Sequence, residues 1–430
     1  MKHLIAVLSI LLISGSMYSQ NPTPAKAQDK PIVIINGVIH IGNGKVINKG
    51  FVAFKDSKIT NVGDAATIGT DVSNYEQIDA KGKDIYPGFI ALNTTLGINE
   101  IEQARATNDY AEVGHLNPNV RSVIAYNTDS KVTPTVRSNG VLMAQIVPQG
   151  GLISGQSSVV ELDAWNWEDA VYKTDDGIHL NWPNMLVNKF SPTESEDVQK
   201  DRIQKSLNAL NDLFSNAKAY SLIKDPKEKN LKYESMRGLF DGSKRLYVHA
   251  GYIKELIAAI NFGKDQKITI VLVGAYDAWR VTDLIKSQNI SVVLGRSHSL
   301  PPREDEDVDL PYKLPFLLQQ AGINYSISID GFWQVRNLAF NAGTPVAYGL
   351  DKEQALMSIT SNAAKILGID KTVGTIEVGK DATIIISDGD ALDMKSNNIT
   401  TAFIRGKSIN LDNIQKQLYR KYMDKYGMKE

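Results

Sequence analysis

The sequence predicts an α/β protein whose middle alternates strands with helices and whose two ends are short-strand β regions. Two observations carry this reading. From Pro31 to Asp84, and again from Gly374 to Ile409, β-rich runs are separated by turn residues. Between them, roughly Ile85 to Gly368, apolar runs alternate with stretches whose apolar residues recur at helical spacing, the pattern of a parallel sheet or barrel. A chain of 430 residues has room for one large α/β domain and a smaller one.

Taken in order, Met1-Lys2-His3, an apolar run from Leu4 to Ile13 and small residues up to Gln20 read as a secretory signal peptide over residues 1–19. The apolar run is too short for a stable membrane anchor, so the mature protein is expected to be exported, in the periplasm or secreted. Residues 20–30, rich in Pro, Ala, Lys and Gln, read as a flexible tether. In the first β region, Ile32 to Ile35 is followed by the hairpin turn Asn36-Gly37, and further strands follow at Val38, Phe51 and Ile59. The middle offers seven strands, Ile85–Thr94, Gly140–Pro148, Ser158–Asp163, Arg245–His249, Ile268–Gly274, Ser291–Arg296 and Tyr325–Asp330, and no convincing eighth. Ile203, Leu207, Leu210 and Phe214 mark one intervening helix, and Ile253, Leu256, Ile257 and Ile260 another. Gly150 to Gly155 is Gly-rich but lacks the Gly-Lys-Ser/Thr of a phosphate loop. Leu411 to Tyr426 reads as a docked helix with Ile414, Leu418 and Tyr422 on one face and Asp412 as N-cap.

Composition excludes several function classes. The chain is 43% hydrophobic and 22% charged, and its 47 Lys+Arg against 48 Asp+Glu leave a formal charge of -1. Nucleic acid is not an expected partner, because phosphate binding needs a basic surface. No Cys is present, which removes disulfides, thiolate metal ligands and a Cys nucleophile.

The most telling segment is Tyr86-Pro87-Gly88-Phe89-Ile90-Ala91-Leu92-Asn93-Thr94-Thr95. With Ala363-Ala364-Lys365-Ile366-Leu367-Gly368 and Gly374-Thr375-Ile376-Glu377-Val378-Gly379-Lys380-Asp381-Ala382 near the far end, it resembles the amidohydrolase superfamily, on its imidazolonepropionase-like side. The resemblance covers nearly everything after the expected signal peptide. It implies a TIM-type (β/α)8 barrel over residues 85–369, a β-sandwich built from 31–84 and 370–410, and a C-terminal helix over 411–430. It also implies hydrolysis of C–N bonds, often in cyclic amides, by metal-activated water.

Site residues follow from the resemblance strand by strand. Where the family's first strand carries two His one residue apart, this chain has Asn93 and Thr95, whose oxygens are much weaker zinc ligands than imidazole. Glu161 stands where relatives often place a carbamylated Lys. His249 matches a metal-binding His, the next strand ends in Val273-Gly274-Ala275 without a second one, and Asp330 matches the proton-transferring Asp. A two-metal site is therefore not expected. Two readings stay open: Glu161 and His249 hold a single divalent ion such as zinc with Asp330 as base, or the same groups work without metal as an acid/base set. His298, after a barrel strand, and Trp333, after Asp330, join Asn93 and Thr95 as candidate substrate contacts. Asn108, Arg137, Gln156 and Trp279 are weaker candidates, and His40, His115 and His179 show no partner pattern.

The expected function is hydrolysis of a C–N bond in a small amide or cyclic amide, with at most one metal. The alternative is a non-catalytic relative that binds a small molecule or a partner protein. A homo-oligomer is compatible with this fold, and no membrane anchor is expected.

Overall fold

The computed structural model describes residues 23–69 and 72–428. The expected signal peptide lies outside the described residues. No described helix is long and apolar enough to cross a membrane.

Strands β1 (Ile32–His40), β2 (Val46–Lys55), β3 (Lys58–Asp64), β4 (Glu76–Asp79) and β5 (Asp84–Pro87) form one sheet with three strands from the far end of the chain. The first hairpin, pinned by the pairing of Ile32 with Phe54 and of His40 with Val46, turns between Ile41 and Lys45 rather than at the expected Asn36-Gly37. That dipeptide is a bulge inside β1, where Asn36 takes the left-handed conformation (φ 57°) that Asn tolerates better than most residues. The chain ends meet where β5 pairs antiparallel with the first strand of the closing segment, Ile385 opposite Tyr86. Ile34, Ile39, Phe54, Ile85, Ile384 and Phe403 are buried between them.

The second sheet is a nearly closed barrel of eight strands, β6 (Phe89–Thr94), β7 (Val141–Ile146), β8 (Ile153–Glu161), β9 (Val171–Asn181), β10 (Arg245–Ala250), β11 (Ile270–Gly274), β12 (Ser291–Leu294) and β13 (Tyr325–Ile327), in that spatial order. Hydrogen bonds from Thr94 Oγ1 (2.7 Å) and the Thr95 N–H (2.9 Å) to the Gly331 carbonyl tie the first strand to the last. The expected barrel is present, with two differences. Its eighth strand is β9, which is not among the seven expected. In addition, β8 begins at Ile153, inside the Gly-rich stretch, and runs antiparallel to both neighbours.

The inside of the barrel is packed rather than hollow. Ile90, Leu92, Met143, Val159, Tyr247, Val271, Val273 and Val293 meet there, and the short helix α1 (Ser361–Leu367) adds Ala363, Ala364, Ile366 and Leu367. Each such aliphatic side chain contributes about 1.5–3 kcal/mol on leaving water.

The chain ends differ from expectation. Residues 24–30 are not a free tether along their length: the Ala25 N–H donates to Asp163 Oδ2 at 2.8 Å, and the Gln28 side chain donates to the Phe54 carbonyl. The final helix α2 (Ile414–Lys425) starts from Asn413 rather than Asp412, with Asn413 Oδ1 accepting from the Lys416 N–H. It buries no residue of its own. Its anchor is the buried Asn413, which donates to Ser138 Oγ at 2.9 Å, and Ile414, Leu418 and Tyr422 stay exposed.

Candidate functional site

The strand ends that carry function in this fold are the C-terminal ends of the parallel strands. There the structure has a cleft of about 630 Å³ whose wall includes Asn93, His249, Tyr276, Arg296, Ser328 and Asp330. His249 and Asp330, expected from β10 and the end of the last strand, therefore share one mouth. Asp330 is exposed and no hydrogen bond holds its carboxylate among the described residues. Asn93 reaches the wall from a bulge: pairing with β7 shifts between Ala91 and Thr94, and Asn93 has φ 54°. Its backbone N–H donates to Gln145 Oε1 at 3.2 Å, which leaves its side-chain amide for the cleft. Arg296 forms no ion pair among the described residues.

Four expected site residues lie elsewhere. Glu161 is at the opposite end of the barrel. The antiparallel course of β8 places it opposite Met143, near the start of β7, and 3.9 Å from Arg405 of the other sheet. Burial pushes its carboxyl up to about 7 against the pull of Arg405 and Lys407. Thr95 is buried with its hydroxyl unpaired and does not line the cleft. His298 is turned aside to Thr344 Oγ1 at 2.6 Å. Trp333 is exposed beneath the guanidinium of Arg336, outside the cleft wall. Among the weaker candidates, Arg137 is committed to a buried ion pair with Asp163 at 2.5 Å, and Gln156 hydrogen-bonds Lys244.

What sequence reasoning missed is a buried polar chain behind His249. His249 Nε2 lies 2.9 Å from Nδ1 of His179 on β9. His179 Nε2 lies 2.9 Å from Ser157 Oγ on β8, and Ser157 Oγ donates to Asp176 Oδ1 at 2.6 Å. The second oxygen of Asp176 accepts from Tyr247 Oη at 2.7 Å and from Gln145 Nε2 at 3.2 Å. His179 is paired in register with Tyr247, and their rings stack at 4.7 Å. Gly177 makes this possible, because a Cβ there would lie 2.4 Å from the Tyr247 ring. Burial holds His249 down to about 4. His179 is held well below the ordinary histidine range by burial and then by the neighbouring His249. Both rings are therefore neutral near pH 7. The signal that could have found His179 is the alternation Gly177-Ile178-His179-Leu180-Asn181 in a barrel that counted one strand short.

The donor set does not suit a zinc-type ion. The ring nitrogen Nε2 of His249 is turned to His179, Asn93 offers only an amide oxygen, Thr95 is buried outside the cleft wall, and Glu161 is across the barrel. Among the described residues no group of three or more His, Asp or Glu is placed to hold a metal.

Comparison with known proteins agrees with the fold. Residues 312–409 match the family described as amidohydrolase family. The chain is 22% identical over 382 residues to the imidazolonepropionase of Rhizobium rhizogenes, covering 80% of this chain and 88% of that one. It is 23% identical over 376 residues to the imidazolonepropionase of Brucella anthropi, with the same coverage of each. The family match and the two imidazolonepropionase relatives together support the amidohydrolase superfamily. It aligns on the amidohydrolase of Thermotoga maritima with a TM-score of 0.77 at 22% identity, over 88% of this chain and 99% of that one. A more distant neighbour is an adenosine deaminase of Xanthomonas campestris with bound zinc, at a TM-score of 0.52, 15% identity, and 94% and 99% coverage. Superfamily members usually bind a divalent metal.

Proposed function

We propose that the protein is an exported hydrolase that cleaves a C–N bond of a small amide or cyclic amide without the paired-histidine metal site of its superfamily. The observation that carries this reading is the cleft shared by Asp330 and His249 at the functional end of the barrel. Asp330, unheld by any of the described residues, takes a proton from the attacking water and returns it to the leaving nitrogen. His249, neutral at pH 7, accepts the second proton of that water as the tetrahedral intermediate collapses to a carboxylate. Such positioned proton transfers contribute roughly 10²–10⁴-fold each. The side-chain amide of Asn93 and the guanidinium of Arg296 line the same cleft and can stabilise the developing oxyanion. Export rests on the residues Met1 to Gln20.

The test is a panel of acyclic amides, lactams and cyclic imides incubated with the mature wild-type protein and with Asp330→Asn, read by mass spectrometry. Turnover by the wild type alone supports the hydrolase. A compound that raises the melting temperature of both proteins and is turned over by neither makes the chain a binding relative. The vacated His positions at Asn93 and Thr95 favour that second reading.

A further inference from the structure

The hydrogen-bond chain behind His249 has a direction, and the direction follows from chemistry. Asp176, as a carboxylate, only accepts, and it receives bonds from Ser157, Tyr247 and Gln145. The Ser157 proton is therefore spent on Asp176. Its oxygen must then accept from His179, so His179 carries its proton on Nε2. That leaves His179 Nδ1 as an acceptor, which requires His249 to carry its proton on Nε2. The remaining nitrogen of His249, Nδ1, has no hydrogen-bond partner among the described residues, and His249 forms part of the cleft wall.

From this we infer that Asp176, Ser157 and His179 are positioning residues that fix His249 in the Nε2–H tautomer, so that an unprotonated Nδ1 faces the cleft as a proton acceptor, with Asp176 as the final proton store. The inference deepens the hydrolase reading given above and rests on it for the identity of the proton. When Nδ1 takes a proton, the Nε2 proton of His249 passes to His179 Nδ1. The Nε2 proton of His179 passes to Ser157 Oγ, and the Ser157 proton passes to Asp176. Each group gives one proton and gains one, and the net change is one proton on Asp176. Neither imidazole need remain a cation. That matters because both rings sit where burial opposes positive charge. Gln145 supports the far end by donating to both Ser157 Oγ (3.2 Å) and Asp176. Tyr247 supports the middle by stacking on His179 while donating to Asp176.

The experiment is two-bond proton–nitrogen NMR on the mature protein labelled with ¹⁵N at histidine only, with signals assigned from His179→Gln and His249→Gln. In the wild type at pH 7 both rings are expected as pure Nε2–H tautomers. Ser157→Ala and Asp176→Asn, each checked for folding by its thermal midpoint, should lose that single tautomer at His249, although neither residue touches it. An Nδ1–H tautomer at His249 in the wild type overturns the proposal. So does a His249 tautomer that stays unchanged in whichever of the two variants is folded. The readout needs no substrate, so failure of the relay is distinguishable from failure of the hydrolase reading, which the amide panel decides.

Discussion

Nδ1 of His179 and Nε2 of His249 lie 2.9 Å apart, on neighbouring parallel strands of the barrel. The contact joins a cleft-wall residue to a polar chain that ends on a buried carboxylate. It also takes from His249 the ring nitrogen now bonded to His179, and with it one point of attachment for a metal ion.

Asp330→Asn is expected to abolish hydrolysis while leaving the thermal midpoint nearly unchanged, because Asp330 is exposed and unbonded among the described residues. Activity assays and thermal unfolding on the same preparation check this. A large fall in the midpoint would mark Asp330 as structural.

Metal should be dispensable. Dialysis against a chelator is expected to leave turnover unchanged, with well under one zinc per chain by elemental analysis before and after incubation with zinc. One tightly held ion per chain would show that the cleft rearranges into a ligand set.

Glu161→Gln should leave activity intact and stabilise the protein at alkaline pH. The folded carboxyl titrates near 7 against an ordinary 4.5, chiefly because of burial. The folded state therefore favours the protonated form, and stability is lost as pH rises from about 4.5 to about 7. Gln escapes that loss, with a gain of at most roughly 3 kcal/mol at pH 8 and none at pH 4. Denaturant titrations at the two pH values measure it.

Arg137→Ala should destabilise without touching the cleft. It leaves Asp163 buried and without its cation, at a cost of about 3–5 kcal/mol. Unfolding by urea, compared with the Michaelis constant, separates this from a role in substrate binding.

His40 should act as an alkaline weak point. Burial opposes its charge, but hydrogen bonds to Asp84 (3.3 Å) and Glu353 (2.7 Å) outweigh that and raise it to about 9. The stability it supplies is full below about 6.5 and disappears as pH rises through about 9. His40→Gln should lower the thermal midpoint clearly at pH 6 and little at pH 10.

The sequence by itself determined the strand–helix alternation of the middle and the β-rich character of both chain ends, and the family resemblance carried by its motifs supplied the barrel and the placement of His249 and Asp330 at strand ends. The alternation depends on local periodicity and turn residues within a few positions of one another, which a linear reading can detect. Only the tertiary structure decided where Glu161 goes, because the reversed direction of β8 is a property of its pairing with β7 and β9 rather than of its own residues. The same holds for the polar chain. Gln145, Ser157, Asp176, His179 and Tyr247 come from four different strands, one of them outside the seven expected, and only the folded chain shows Gly177 making room for the Tyr247 ring. Hydrogen bonds between residues tens of positions apart leave no spacing rule in the chain. They exist because the barrel closes around them.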